Sequence, residues 1–411
     1  MILIYRFFIN LIFIISPLIL VYRILKQKED LKRFKEKFCI FTKLRKKGKL
    51  IWFHGASVGE ILSVMPLIEK FEKNNNINQI LITSNTLSSY NILSKYKLKK
   101  TVHQFFPLDA KFLSEKFINY WKPSKVFFID SEIWPNMIIN LSIKKIPLVL
   151  LNARITRKTF KRWMMVPNFA NFIFKKFSLS LPSSNESKNY LIKFGIKKIK
   201  YIGNLKFCQT ESKNEKLDKN IKKFINQKNY WCASSTHKSE EKICANVHIE
   251  LKKKFRNIFT IIIPRHVDRA ETIKKELSKL NLKVHMHEPK KKISFDTDIY
   301  LVNTYGKTKS FYKICKNIFL GGSLINHGGQ NPLEAARFNC NILHGPNVSN
   351  FKEIYTLLKK NGLAVQVKNQ NQLIKKLKIY LLTDKFFDKK NSNLNILGKR
   401  ILDKTYNEIK I

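Results

Sequence analysis

From Leu50 onward the chain alternates short apolar runs with longer amphipathic stretches, and this alternation limits the possible folds more than any other feature. The runs "LIWF", "QILITS", "KVFFID", "PLVLLNA", "LSLP" and "KYIG" form a first series. A second, beginning near Tyr230, contains "YWCAS", "FTIIIP", "KVHMH", "IYLVN", "NIFLGG" and "NCNILHGP". Apolar runs with little polar alternation suit strands buried on both faces, and helical crossovers between them make a parallel sheet. Two series therefore predict an α/β protein with two doubly wound, Rossmann-like domains facing a cleft. The hydrophilic stretch from Cys208 to Lys228 separates them as linker and first helix. The expected organisation is an anchor over 1–22, an N-terminal domain over 23–207, a C-terminal domain over 208–390, and a helix over 391–411 able to pack back on the N-terminal domain.

The anchor rests on "MILIYRFFINLIFIISPLILVY", which only Arg6 and Asn10 interrupt strongly. At 1.5 Å per residue its length matches a hydrocarbon core of about 30 Å. No small-x-small cleavage site follows it; the chain runs on into the basic "RILKQKEDLKRFKEKF", which predicts an uncleaved single-pass anchor with the remaining chain on the cytoplasmic side. A formal net charge of +49 over 411 residues points to a polyanionic partner. The lysines are scattered among Ile, Asn and Phe with no nucleic-acid-binding signature, so an anionic membrane surface is expected and no specific nucleic acid. Six cysteines, at 39, 208, 232, 244, 315 and 340, lack C-x-x-C or metal-ligand spacing, which argues against a disulfide framework and a zinc site.

Ligands of doubly wound sheets bind outside the carboxyl ends of the strands, where the informative residues of this chain lie. "HGASVGEI" follows "LIWF" and has two readings. Ser57 and Glu60 have the spacing of a helix capping box, which requires no chemistry. Yet Gly59, in the first turn, costs up to about 1 kcal/mol relative to alanine unless something must approach closely. "GGSLINHGGQNPLEAA" carries glycines at 321, 322, 328 and 329, with Asn331 as N-cap and Pro332 at the first helical position. Free amides at such a helix start can hold phosphate, and a cap of Asn331 with Glu334 is the alternative. In "PRH", Arg265 follows a strand and can make a forked contact to phosphate; His266 has no metal partner in view. "YGKTKS" imitates the end of a P-loop, but Leu301 replaces the first glycine and excludes that cradle. "SEIWP" sets Glu132 beside Trp134, which can simply pack inward.

Together "IWFHGASVGE", "SEIWPN", "NARIT", "GNLKF", "ASSTHKSEE", "IIIPRHVDR" and "GGSLINHGGQNPLEAA…GPNVSNFKEIY" resemble, in order and spacing, the 3-deoxy-D-manno-octulosonic acid (Kdo) transferases over nearly the whole chain. The resemblance implies a GT-B fold and a metal-independent inverting transfer of Kdo from CMP-Kdo to a lipid A precursor at the inner membrane, with no cofactor. It implies Glu60 as general base, Glu132 and Lys206 as supports of the transition state, and CMP contacts from Pro264, Arg265, His266, Asn331, Pro332, Leu333 and Glu334. Where the family has Met-Gly-Glu at the nucleotide, this chain has Tyr305, Gly306 and Lys307, which leaves a backbone contact at Gly306 and replaces an acid by a base. The helix macrodipole should keep Glu60 ionised but lower its basicity, so that desolvation by the acceptor must restore reactivity. A UDP-sugar enzyme of the same fold and a non-catalytic basic membrane adaptor are the alternatives; CMP against UDP binding separates the first, and absence of saturable nucleotide binding marks the second.

Overall fold

The computed structural model describes residues 1–209, 217, 219–288, 291–383 and 391–410. It divides into two compact units, Met1–Thr210 with Asn395–Ile411, and Glu211–Leu394. The predicted linker falls partly outside the described residues, at 210–216 and 218; its described end forms the helix Lys219–Ile225.

The first unit is built on strands β1 (Leu50–His54), β2 (Gln79–Ser84), β3 (Thr101–Phe105), β4 (Lys125–Ile129), β5 (Leu148–Ala153) and β6 (Leu179–Pro182). They form one parallel sheet in the order β3-β2-β1-β4-β5-β6. Successive side chains of a strand point to opposite faces. Trp52, Leu81, Val126, Phe128 and Leu150 accordingly enter one core, while Ile51, Phe53, Ile82, Phe127 and Leu151 enter the other. The order reverses between β1 and β4, so the loops leaving these two strands flank the switch point where such sheets bind ligands.

"KYIG" is not a strand. Lys200 and Tyr201 are exposed, and pairing is limited to a single bridge from Ile199 to Ser180 at the sheet edge. Conversely "TVHQF" pairs in register with β2 although it has no apolar run; as an edge strand with a partly exposed start it needs none.

Two helices complete this unit. The N-terminal helix Ile2–Leu25 lays Ile2, Ile9 and Phe13 against the β1–β4 core. The C-terminal helix Asn391–Ile409 packs beside the helix Val58–Glu72, with Tyr406 on Phe71 at 4.9 Å and Lys70 paired to Asp403. Gly398 permits its closest approach, since a Cβ there would lie 2.5 Å from the Phe207 carbonyl oxygen.

The second unit contains β7 (Asn229–Thr236), β8 (Ile258–Pro264), β9 (Val284–Met286), β10 (Ile299–Leu301), β11 (Asn317–Leu320), β12 (Asn341–His344) and β13 (Ala364–Gln366), parallel in the order β13-β12-β11-β7-β8-β10-β9. Its switch point lies between β7 and β11. The loops beginning at His237 and Gly321 leave from there, and Arg265 follows the adjacent β8.

Candidate active site

In the first unit the capping box exists as geometry. Ser57 Oγ accepts the Glu60 amide at 3.4 Å, and Glu60 Oε2 accepts the amides of Ala56 at 2.7 Å and Ser57 at 3.3 Å. The carboxylate is also half-buried beside two other acids. Burial first, then the charges of Glu132 and Asp130, push its pKa up to about 7 against the pull of its hydrogen bonds. This reverses the expectation from the helix end alone: desolvation in the resting protein outweighs the favourable amides, and a carboxyl with this pKa is matched to proton abstraction near neutrality. Gly59 faces open space, with nothing within 4 Å of where its Cβ would stand.

Glu132 sits in the opposite electrostatic situation. Burial raises its pKa, but hydrogen bonds from His54 and Trp134 prevail and hold it below the usual carboxylate range. Its Oε2 receives Trp134 Nε1 at 2.8 Å and His54 Nε2 at 3.2 Å. Behind it, Trp52 Nε1 donates to Thr83 Oγ1, which lies 2.9 Å from His54 Nδ1. Trp134 Nε1 also lies 3.0 Å from His54 Nε2, so the indole, the imidazole, Thr83 and the Glu132 carboxylate share one hydrogen-bonded network. The imidazole is buried and stacked on Phe106 at 3.8 Å, which fixes its plane.

Lys206 reaches the same cluster through Asp130, with Nζ 3.4 Å from Oδ2. Asp130 Oδ1 accepts Asn152 Nδ2 at 2.6 Å, and Asn152 Oδ1 accepts the Leu205 amide at 2.9 Å. Asp130 and Asn152 both adopt left-handed backbone at φ 54°, just beyond or at the ends of β4 and β5. Asp and Asn enter that region more readily than other non-glycine residues, and here both carry side-chain hydrogen bonds that tie the loop at Leu205 to the end of β4.

In the second unit the glycine turn departs from expectation. The amides of Gly322, Ser323 and Leu324 point at the buried Glu240 carboxylate, at 2.6, 3.1 and 3.1 Å, and the His237 amide joins them at 3.0 Å. These donors are satisfied within the protein. Gly321 serves the same packing, since a Cβ there would meet Ser235 O at 2.6 Å. The helix beyond the turn is only Leu333–Arg337; its N-cap is Pro332 and not Asn331, although Asn331 Oδ1 still accepts the Leu333 amide at 3.1 Å. Five residues build little macrodipole, so cationic side chains, more than the helix end, set the local potential.

Arg265 and Arg269 are those cations. Arg265 and His266 are exposed at the end of β8, and Arg269 pairs with Glu241 at 3.1 Å. His237 lies against His327 at 3.9 Å and near His266 at 5.9 Å between ring centres, with Gln330 Nε2 on its Nε2 at 3.0 Å. Burial first, then His327, His266, Arg265 and Arg269, push its pKa down to about 4, so the ring is neutral in a positive neighbourhood. Glu334 pairs with Lys309 at 3.8 Å, which brings the turn at Tyr305, Gly306 and Lys307 beside the Asn331–Glu334 segment. Tyr305 is exposed and Gly306 is left-handed at φ 84°. Among the described residues no group of three His, Cys, Asp or Glu side chains is placed to hold a metal. The six cysteines are buried and none forms a disulfide.

A family profile described as 3-deoxy-D-manno-octulosonic-acid transferase (kdotransferase) matches residues 32–209. The 3-deoxy-D-manno-octulosonic acid transferase of Rickettsia bellii is 32% identical over 97% of this chain and 97% of its own length. The chain belongs to the Kdo transferase family. A probable mitochondrial Kdo transferase of Arabidopsis thaliana is 31% identical over 88% of this chain and 84% of its own, and the Haemophilus influenzae enzyme 28% over 75% and 73%. Among solved structures, a putative UDP-N-acetylglucosamine 2-epimerase from Listeria monocytogenes aligns over 88% of this chain and 97% of its own at TM-score 0.62 with 10% identity. The enzyme from Neisseria meningitidis aligns over 87% and 100% at 0.59 with 14% identity. At these identities the likeness is one of fold, the two-domain α/β class GT-B. As a Kdo transferase the chain is a glycosyltransferase.

Within this Kdo transferase the structure brings Glu60, Glu132 and Lys206 together in one unit, and Pro264 to His266, Tyr305 to Lys307 and Asn331 to Glu334 around one sheet end in the other. Sequence reasoning passed over His54, Thr83, Asp130, Asn152, His237, Glu240 and His327. Some carried a signal: His54, Asp130, Asn152 and His237 are polar residues at or just past the end of an apolar run, a place where a purely structural strand needs none.

Proposed function

We propose that this Kdo transferase moves Kdo from CMP-Kdo onto a lipid A precursor (lipid IVA) in lipopolysaccharide synthesis, with inversion and without metal or other cofactor, at the cytoplasmic side of the inner membrane. The observation that carries the reading is the separation of two neighbouring carboxyls, Glu60 raised to about 7 and Glu132 lowered, which suits one to take a proton and the other to remain charged. In this reading Glu60 takes the proton of the acceptor hydroxyl as its oxygen bonds to the anomeric carbon of Kdo. The bond from that carbon to the CMP phosphate oxygen breaks, and CMP leaves with the electron pair. Glu132 and Lys206 stabilise charge developing at the sugar. Arg265, with Pro264 and His266, meets the departing nucleotide, and Asn331, Pro332, Leu333 and Glu334 complete its site; the exposed Gly306 offers its backbone between Tyr305 and Lys307. The test is incubation of the full chain with CMP-Kdo and tetraacyl lipid A precursor, with mass analysis of the lipid. A gain of Kdo that disappears in Glu60→Gln, with CMP preferred over UDP in binding, supports it; no gain with a folded, CMP-binding protein overturns the acceptor assignment.

A further inference from the structure

The N-terminal helix has the length of a membrane crossing and the contacts of a packed helix. Tyr5 Oη donates to Asp109 at 2.8 Å and Arg6 Nε to Asn136 at 3.0 Å. Asp109 is buried and also accepts the amides of Asn136 and Met137, both at 2.9 Å, so Tyr5 ends on a carboxylate fixed inside the unit. Phe13 meets Phe112 edge-on at 5.2 Å and Phe38 at 6.0 Å, and Ser16 and Leu20 are buried further along. Residues 2, 5, 6, 9, 13, 16 and 20 recur at the helical period and form one stripe along the helix.

The opposite stripe is bare. Leu3, Phe7, Ile14, Leu18, Tyr22 and Leu25 are each 62–76% exposed, on a helix of mean hydropathy 2.2. An apolar band of this size on a water-soluble surface is unusual and needs an occupant. The flanks are basic: Lys26 and Lys28 follow the helix, and Arg157–Trp163, which buries no residue, carries Lys161 and Arg162 beside the exposed Met165.

Length decides against a crossing. The stretch from Ile2 to Phe13, about 18 Å of helix, is tied to the folded unit, and residues 14–25 supply only about another 18 Å against a core of about 30 Å. Arg23 is paired with Glu29, which also holds Lys37, so the far end returns to the same unit. We propose that the helix lies in the plane of the membrane, its packed stripe on the first unit and its bare stripe in the acyl boundary of an anionic leaflet, in place of a single crossing. This rests on the reading above that the acceptor is a membrane lipid.

The experiment uses the full chain with one cysteine in a short hydrophilic extension before Met1, expressed in a bacterial host; the six native cysteines are buried and do not compete. An in-plane helix leaves the extension on the cytoplasmic side. A membrane-impermeant maleimide should then label everted vesicles at least about tenfold more than cells with a permeabilised outer membrane; the reverse pattern overturns the proposal. In parallel, Phe13→Cys with Phe112→Cys should cross-link through a short bis-maleimide in the membrane-bound protein. A pair that links in detergent and not in the membrane overturns the proposal, because the helix has then left the unit. Recovery of folded protein entirely in the soluble fraction also overturns it. Kdo transfer to detergent-dispersed lipid, assayed separately, would in that case still stand or fall by itself.

Discussion

At Glu60 the amides that cap a helix and the burial that raises a pKa act on one carboxylate, and their balance is open to measurement. Glu60→Gln keeps most of the cap's hydrogen bonds and cannot accept a proton, so transfer should fall by about 10²–10⁴ while the protein still folds and binds CMP. In the wild type kcat/KM should rise with pH through about 7, as Glu60 loses its proton. The stability effect has the opposite sign. A folded-state pKa raised above the unfolded value means that the native state holds the extra proton between about 4.5 and about 7, so this contribution is present at low pH and lost as pH rises through 7. The melting temperature of Glu60→Gln relative to wild type should therefore improve from pH 5 to pH 8; a flat difference would mean that Glu60 titrates normally. At the donor side, Arg265→Ala should weaken CMP binding, and Arg265→Lys should restore it only in part, because a point charge cannot reproduce a fork, as calorimetric titration would show. Ser57 and Glu60 were legible as a pair from spacing alone. The raised pKa was not, because it depends on Asp130 and Glu132, seventy residues away in the chain.

Among the elements, the C-terminal helix has the sharpest dependence on one residue. Gly398→Ala should gain up to about 1 kcal/mol of helix propensity, yet a Cβ at 2.5 Å from the Phe207 carbonyl must push helix or loop aside. Overpacking against backbone costs about 1–3 kcal/mol, so the net change should be destabilising by urea unfolding. Since Phe207 follows Lys206, kcat should fall as well. The apolar runs marked most strands because the middles of β1, β4, β5, β7 and β8 are buried on both faces and are therefore mostly apolar. The same rule misjudged the edges. "KYIG" is apolar enough to read as a strand, yet the one bridge at that edge belongs to the preceding Ile199, while Thr101–Phe105 and Ala364–Gln366 are strands because a neighbour in register supplies their hydrogen bonds.

For the whole molecule, a charge of +49 and a bare apolar helix make separable contributions to membrane attachment. Salt at about 1 M shortens the Debye length to about 3 Å and removes the electrostatic part, while apolar burial persists. The full chain should thus stay on anionic vesicles at high salt in a flotation assay, with slower capture; complete release would mean that charge alone holds it. The sequence by itself determined the α/β class, the two series of strands and the polar positions at their ends, because burial on two faces and the chemistry of strand ends leave local patterns. It also determined that the first residues are apolar enough for a membrane. Only the tertiary structure decided what those residues do: that Glu240 consumes the amides of the glycine turn, that Asp130 aims Lys206, and that the N-terminal helix is tied by Tyr5 and Arg6 to the unit behind it. Each of these joins residues far apart in the chain, and the free energy of such a contact depends on burial and neighbours that no local pattern encodes.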